Sequence, residues 1–269
     1  MLTPWQKVQL SRHPERPQTL DYVAALCTDF TELHGDRRHG DDAAIVAGVG
    51  FVARRSLAVV GHQRGHDTSE RALRRFGMPR AEGYRKAARL YALAARMRFG
   101  LLTLVDTPGA YPGAESEERG VAEAIASCLA DLVALPVPIV CVVIGEGGSG
   151  GALALAVADV LLVLENSCLA VITPEGCASI LSRRQSAAAV ERSASSLALT
   201  ADDLVRLGIA DGIVAEPPGG AHLDREATFA AVGAAIETAF SGLDGQGGPA
   251  LRARRRARLH ALGRNAVVG

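Results

Sequence analysis

The chain carries no net charge: among its 269 residues, lysine plus arginine number 29, and aspartate plus glutamate also number 29. No global field therefore draws it to nucleic acid or to an anionic membrane. Cysteines number five (Cys27, Cys128, Cys141, Cys168 and Cys177), and no two have the two-residue spacing of a zinc ribbon. An odd, scattered set lying mostly in apolar runs suits buried thiols in a reducing compartment, and no metal site is expected from this chain alone. Apolar runs fall well short of the roughly 18 to 20 residues that cross a bilayer, and the first residues are polar, carry Pro14 and lack a secretory signal pattern. A cytoplasmic protein without a membrane role is expected.

Apolar residues make up 48% and charged residues 22%, the balance of an ordinary globular protein whose length allows one large domain or two small ones. The chain is organised around residues 138–160. Seven apolar residues, 138–144, run into a turn in which Gly145, Gly147, Gly148, Gly150 and Gly151 surround Glu146 and Ser149, and an Ala/Leu helical pattern starts at Ala152. Glycines remove the β-carbons that would keep a ligand from the backbone, and a helix start leaves N–H groups without intrahelical partners. Such a stretch serves either close packing or the binding of an anion or oxyanion. No Lys-Ser/Thr closes the loop, so it is not a P-loop. An oxyanion site is the better functional reading.

Along the chain, Thr19 caps an expected helix from 20 or 21 to about 33, with Tyr22, Ala25, Leu26 and Phe30 on one face. Runs 44–51 and 56–61 read as a hairpin or adjacent strands, followed by the polar cluster His62-Gln63-Arg64-Gly65-His66-Asp67. With Gly65 between the two histidines in a loop, hydrogen bonding or anion contact is favoured over metal. An arginine-rich amphipathic segment, 68–98, is broken at Phe76-Gly77-Met78-Pro79. Strand 101–105 opens into Asp106-Thr107-Pro108-Gly109-Ala110-Tyr111-Pro112-Gly113, a fixed turn at the carboxyl edge of a sheet, where open α/β folds bind ligands. A helix over about 116–135 follows, and its early glutamates are explained by the helix dipole. Strands 160–164 and 168–172 come next, then a helix capped by Thr173 with Pro174 at its first position.

Residues 182–200, rich in Ser, Ala and Arg, read as a mobile segment near the site or a partner. Thr200 starts a helix ending at Gly208, 209–214 is a last strand, and 224–240 is the final core helix. Five arginines in 252–258 mark a basic C-terminal helix with a solvated end, nucleic acid or an acidic partner being the minority reading. Alternating strands and helices imply parallel pairing with helices outside, and the two glycine-bearing strand ends share one sheet edge.

The strings LSRHPERPQTLDY, GDD-AIV-G, GHQRGHDT, FGMP-AEGYRKA-RL, DTPGAYPG, GEGGSGGALA, TPEGCASIL and EPPGGAH occur in order over roughly residues 5–222. On these the chain resembles the α subunits of bacterial acetyl-CoA carboxylase carboxyltransferase. The resemblance implies an α/β crotonase-like fold of repeated ββα units with surrounding helices. It implies one such domain over 1–245, with a helical arm over 1–40, and a basic C-terminal helix or tail over 246–269. The implied activity is transfer of carboxyl from carboxybiotin, a co-substrate on a carrier protein, to acetyl-CoA, giving malonyl-CoA.

The backbone amides of Gly150 and Gly151 would hold the ureido oxygen of biotin, Gly147 and Gly148 would shape the approach, and Gly109, Ala110, Tyr111 and Gly113 would also contact substrate. Implied partners are a zinc-ribbon β subunit in an α2β2 complex, which would carry the zinc and most of the coenzyme A site, and the biotin carboxyl carrier protein. Nucleic acid and membrane are not expected. The sequence departs from the family in lacking a long N-terminal helical extension, in Ser182-Arg183 where a Trp-Lys pair is usual, and in the character of 184–199. A paralogue acting on another acyl-CoA is one alternative. A stand-alone crotonase-fold hydratase, isomerase or decarboxylase is another, with Glu146, Glu175 and Asp106 as its candidate acid or base groups. A non-catalytic scaffold, with the basic helix contacting RNA or an acidic partner, is a third.

Overall fold

The computed structural model describes residues 2–182 and 186–263. Helix α1 (Pro4–Ser11) starts with a capping box in which Thr3 and Gln6 satisfy each other's backbone N–H, and Pro4 occupies the first turn. Helix α2 (Thr19–Leu26) is shorter than its periodicity predicts, because β1 (Cys27–Glu32) leaves it to pair antiparallel with β2 (Ile45–Val52). The reason is tertiary. Gly48 and Gly50 of β2 leave a bare surface on which the Phe30 ring lies, a β-carbon at Gly48 standing 2.5 Å from Phe30 Cζ. Strand β2 then turns into β3 (Arg55–His62) in full antiparallel register, from Ile45 opposite His62 to Val52 opposite Arg55, as the hairpin reading expects.

From here the sheet is parallel. Helix α3 (Thr68–Leu73) and α4 (Ala81–Met97) lead to β4 (Gly100–Thr107); α5 (Ala114–Glu118) and α6 (Val121–Ala134) lead to β5 (Ile139–Gly148); and α7 (Ser149–Ala156) leads to β6 (Val160–Leu164). Strand β7 (Cys168–Ala170) precedes α8 (Pro174–Leu181), where Thr173 Oγ1 accepts the Gly176 N–H at 3.1 Å. Helices α9 (Ala187–Ser196) and α10 (Ala201–Arg206) precede β8 (Gly212–Val214), and α11 (Arg225–Ser241) and α12 (Gly248–Ala261) complete the described chain. The strand order is β1-β2-β3-β4-β5-β6-β8, with β7 joined to the end of β5.

Both faces of the central strands are buried, which is why they read as unbroken apolar runs. Ile139, Cys141 and Val143 pack with α4, α6 and α7, while Val140, Val142 and Ile144 face Tyr22 of α2 and Val232, Ile236 and Phe240 of α11. The result is a helix–sheet–helix sandwich with the carboxyl ends of β4 and β5 side by side.

Two expectations give way to the packing. Within 182–200, α9 is a regular helix capped by Ser186 and set against α1, with Ala189, Ser193 and Ala194 buried; small side chains, not large apolar ones, make that contact. Arg183 and its two successors lie outside the described residues. The basic run on α12 is also not simply solvated. Arg255 is 0% exposed and pairs with Asp159 at 2.6 Å, while its remaining N–H groups reach the carbonyls of Leu132, Leu135 and Val137. Arg258 bonds Asp211 at 2.8 Å.

Candidate active site

The glycine stretch is half strand and half helix, not a loop. Strand β5 continues through Gly148, pairing Glu146, Gly147 and Gly148 with Cys168, Leu169 and Ala170 of β7, and α7 starts at the next residue. Neighbouring β4 is as close: a β-carbon at Gly148 would collide with the carbonyl of Pro108, and one at Gly151 would stand 2.6 Å from the Ala110 nitrogen. Glycine at these two positions is therefore a condition of bringing the two strand ends together.

Gly150 differs. Its β-carbon would meet only Ile125 Cγ2 at 3.6 Å, and the residue is partly open. Ser149 carries a non-glycine φ of 53° at the entry to α7, the strained strand-to-helix turn that sequence reading passed over. The spacing Gly147-x-Ser149-x-Gly151 was the available signal for such a turn.

No side chain caps α7, so its first N–H groups have no side-chain partner and lie at the positive end of the helix dipole. Beside them opens a cavity of about 450 Å³, lined by Ser149, Gly150, Leu153, Leu169, Val171 and Leu204 among others. It is mostly apolar, so a charge developing within it would be stabilised by those amides in a low-dielectric setting. The 106–113 turn packs against the same stretch from the side of Gly148 and Gly151 and does not itself line the cavity. Gly109 has φ 149°, and Thr107 Oγ1 accepts its N–H at 3.0 Å. The Tyr111 N–H donates to the Pro79 carbonyl at 2.9 Å, its ring lies beneath the Arg75 and Arg80 guanidinium groups, and Gly113 makes room for that ring. The structure thus brings Gly109, Ala110, Gly147, Gly148, Gly150 and Gly151 together, with Tyr111 and Gly113 at the outer rim.

The three acids considered as catalytic groups are engaged elsewhere. Glu146, 4% exposed, pairs with Arg12 at 2.6 Å. Asp106 accepts from Arg64 at 3.2 Å and from the Glu146 N–H at 3.1 Å. Glu175 pairs with Arg12 at 2.6 Å; burial pushes its carboxyl up, but the Arg12 hydrogen bond and charge outweigh burial and hold it below the ordinary value. Sequence reading missed Arg12 and Arg64 because their partners lie 134 and 42 residues away along the chain. Among the described residues no three His, Cys, Asp or Glu side chains gather as a metal site, and no helix is long and apolar enough to cross a membrane.

The fold is shared with a transcarboxylase 12S structure at TM-score 0.70 and 20% identity, over 86% of this chain and 42% of that one. It is also shared with a Pseudomonas malonate decarboxylase hetero-tetramer solved with coenzyme A, at TM-score 0.69 and 18% identity over 93% and 97% of the two chains. The chain therefore spans less than half of the transcarboxylase chain. These likenesses define the fold, an α/β fold of the crotonase type.

Closer relatives narrow it. The chain is 53% identical over 266 residues to the acetyl-coenzyme A carboxylase carboxyl transferase subunit alpha of Rhodospirillum centenum, covering 99% of this chain and 83% of that one. It is 57% identical over 220 residues to the subunit of the same name from Exiguobacterium sibiricum, covering 82% and 70%. A family profile described as acetyl co-enzyme A carboxylase carboxyltransferase-like matches residues 1–263, and the chain belongs to that family.

Proposed function

We propose that the protein is the α subunit of a biotin-dependent carboxyltransferase that moves the carboxyl group of carboxybiotin to acetyl-CoA, forming malonyl-CoA. The observation that carries this reading is the entry to α7: amides without a side-chain cap, opening on an apolar cavity, with the nearby acids engaged by arginines. A hydratase or isomerase needs a free acid or base at this point, and Glu146, Asp106 and Glu175 are bound to Arg12 and Arg64. A carboxyl transfer needs none from this chain. Carboxybiotin, brought by its carrier protein, supplies the carboxyl group and, once that has left, the base that takes the acyl-CoA proton. The amides of Gly150 and Gly151 hold the ureido oxygen as negative charge grows on it, an interaction made mainly in the transition state. Each such donor is worth about 3 to 4 kcal/mol in a dry site. Gly147 and Gly148 keep the approach clear, and Gly109, Ala110, Tyr111 and Gly113, on the neighbouring turn, contact the substrate.

The same reading assigns the coenzyme A site and a zinc ribbon to a β subunit, in an α2β2 complex in the cytoplasm. Val171, which lines the cavity, is 75% exposed, and Ile180 and Leu181 of α8 are 73% and 77% exposed, an apolar surface suited to a subunit contact. A different acyl-CoA acceptor is a second reading, favoured by one observation. Leu197 and Ala198, inside the segment that departs from the family, line the cavity at Gly150.

Co-expression with a zinc-ribbon β subunit, followed by a malonyl-CoA decarboxylation assay with biotin as acceptor, tests the proposal. Biotin-dependent turnover only in the complex is expected, and an acceptor series of acyl-CoA thioesters in the forward direction separates the two readings. Turnover by the lone chain, or none in a stable complex with any acyl-CoA, would overturn both.

A further inference from the structure

Two sequence motifs have no catalytic part in that reading: the polar cluster 62–67 after β3, which enters it only through the Arg64–Asp106 pair, and the break Phe76-Gly77-Met78-Pro79. The fold brings both onto one side chain, Arg64. Its backbone N–H and that of Gly65 donate to Gln18 Oε1, at 3.1 and 2.7 Å, and Gln18 is itself buried. Its stem lies against the turn at Gly77, where a β-carbon would stand 2.7 Å from Arg64 Cγ and 3.0 Å from the Asp106 carbonyl oxygen. Arg75, Phe76 and Gly77 have successive φ values of 47, 55 and 80°, a left-handed run that bulky residues adopt only where their surroundings enforce it. Arg64 is thus held at both its backbone and its stem.

Its guanidinium ends between the acids that begin the two glycine-bearing strand ends. Nη1 lies 3.2 Å from Asp106 Oδ1 and 3.7 Å from Glu146 Oε2. The β4–β5 register shifts between Val105 and Thr107, so the Glu146 N–H goes to the Asp106 carboxylate at 3.1 Å. A β-carbon on Gly145 would collide with that same carboxylate. Two buried carboxylates so close repel each other unless a cation lies between them. Arg12 serves Glu146, whereas Arg64 reaches both.

We propose that Arg64 is a positioning residue of the carboxyl-transfer site: its guanidinium bridges Asp106 and Glu146 and so holds the 106–113 turn at a fixed separation from the amides at the start of α7. The inference rests on the carboxyl-transfer reading. Arg64 itself touches no reacting group. It acts by keeping two backbone segments in register, and a lysine, a point charge on a flexible stem, reproduces only part of that bridge.

The test uses the complex with the β subunit and the variants Arg64→Gln and Arg64→Lys. Misplaced donors cost the transition state, not ground-state binding, so Arg64→Gln should lower kcat about 100-fold with both KM values within about threefold. Arg64→Lys should recover about tenfold of that loss. Hydrogen exchange at the amides of 145–151 should quicken in Arg64→Gln while that of β2 and β3 stays as in the wild type. Wild-type kcat with unchanged exchange in Arg64→Gln would overturn the proposal. If that variant does not fold, Arg64→Lys decides: a reduced kcat at unchanged melting temperature supports the role, and wild-type kcat refutes it. An inactive wild-type complex would refute the functional reading instead, and exchange at 145–151 would then decide the positioning claim alone.

Discussion

His62 shows how much one residue under the site contributes. It is fully buried at the end of β3, with Nδ1 accepting the Asp106 N–H at 3.4 Å and Nε2 without a hydrogen-bond partner. Burial pushes its imidazole from 6.5 down to about 3. Between those values the unfolded chain holds a proton that the folded chain does not. Stability should therefore be full above about pH 6.5 and fall as pH drops toward 3, by up to about 1.4 kcal/mol per pH unit. Urea unfolding between about pH 5 and 7, above most carboxylate titrations, reads this slope. His62→Asn should flatten it whatever it does to stability at pH 7; an unchanged slope would show that the acid sensitivity arises elsewhere.

At the level of elements, α12 is anchored rather than appended. Arg255→Met leaves Asp159 buried with its paired cation gone and three carbonyls with it, so a loss of about 3 to 5 kcal/mol in urea unfolding is expected. Arg252→Ala, on the same helix but half exposed, should change stability by less than about 0.5 kcal/mol. Stabilities of the two variants within about 1 kcal/mol of each other would contradict the docking of α12. This helix also marks where local sequence stops being informative. A run of five arginines carries no sign that Arg255, the third of them, sits among the carbonyls of Leu132, Leu135 and Val137 and the carboxylate of Asp159.

The same holds for β1. Tyr22, Ala25, Leu26 and Phe30 keep helical spacing, yet the bare face of Gly48 and Gly50, 18 and 20 residues beyond Phe30, draws that ring into a strand contact. The hairpin, the capped helices at Thr173 and Thr200 and the two glycine-bearing strand ends were legible, because caps, turns and buried strands are specified by adjacent residues. At the site the glycines were legible, and the arginines that tie up their neighbouring acids were not. Pairing across 134 residues leaves no local trace.

Three features combine in the whole molecule: a sheet that sets two strand ends side by side, a helix start beside an apolar cavity, and neighbouring acids that are bound to arginines. Each would serve other chemistry alone. Together they suit a subunit that stabilises a departing anion and leaves proton transfer to its substrates.

The most direct test substitutes Gly150, where a side chain meets open space and not backbone. In the complex with the β subunit, Gly150→Leu should fold and assemble like the wild type, with a melting temperature within a few degrees, because nothing but Ile125 stands near its β-carbon. Its isobutyl group should occupy the space in front of the α7 amides, so biotin-dependent malonyl-CoA decarboxylation should fall at least about 100-fold. Wild-type turnover in the folded, assembled Gly150→Leu complex would contradict the account, since the anion would then be held somewhere other than at the start of α7.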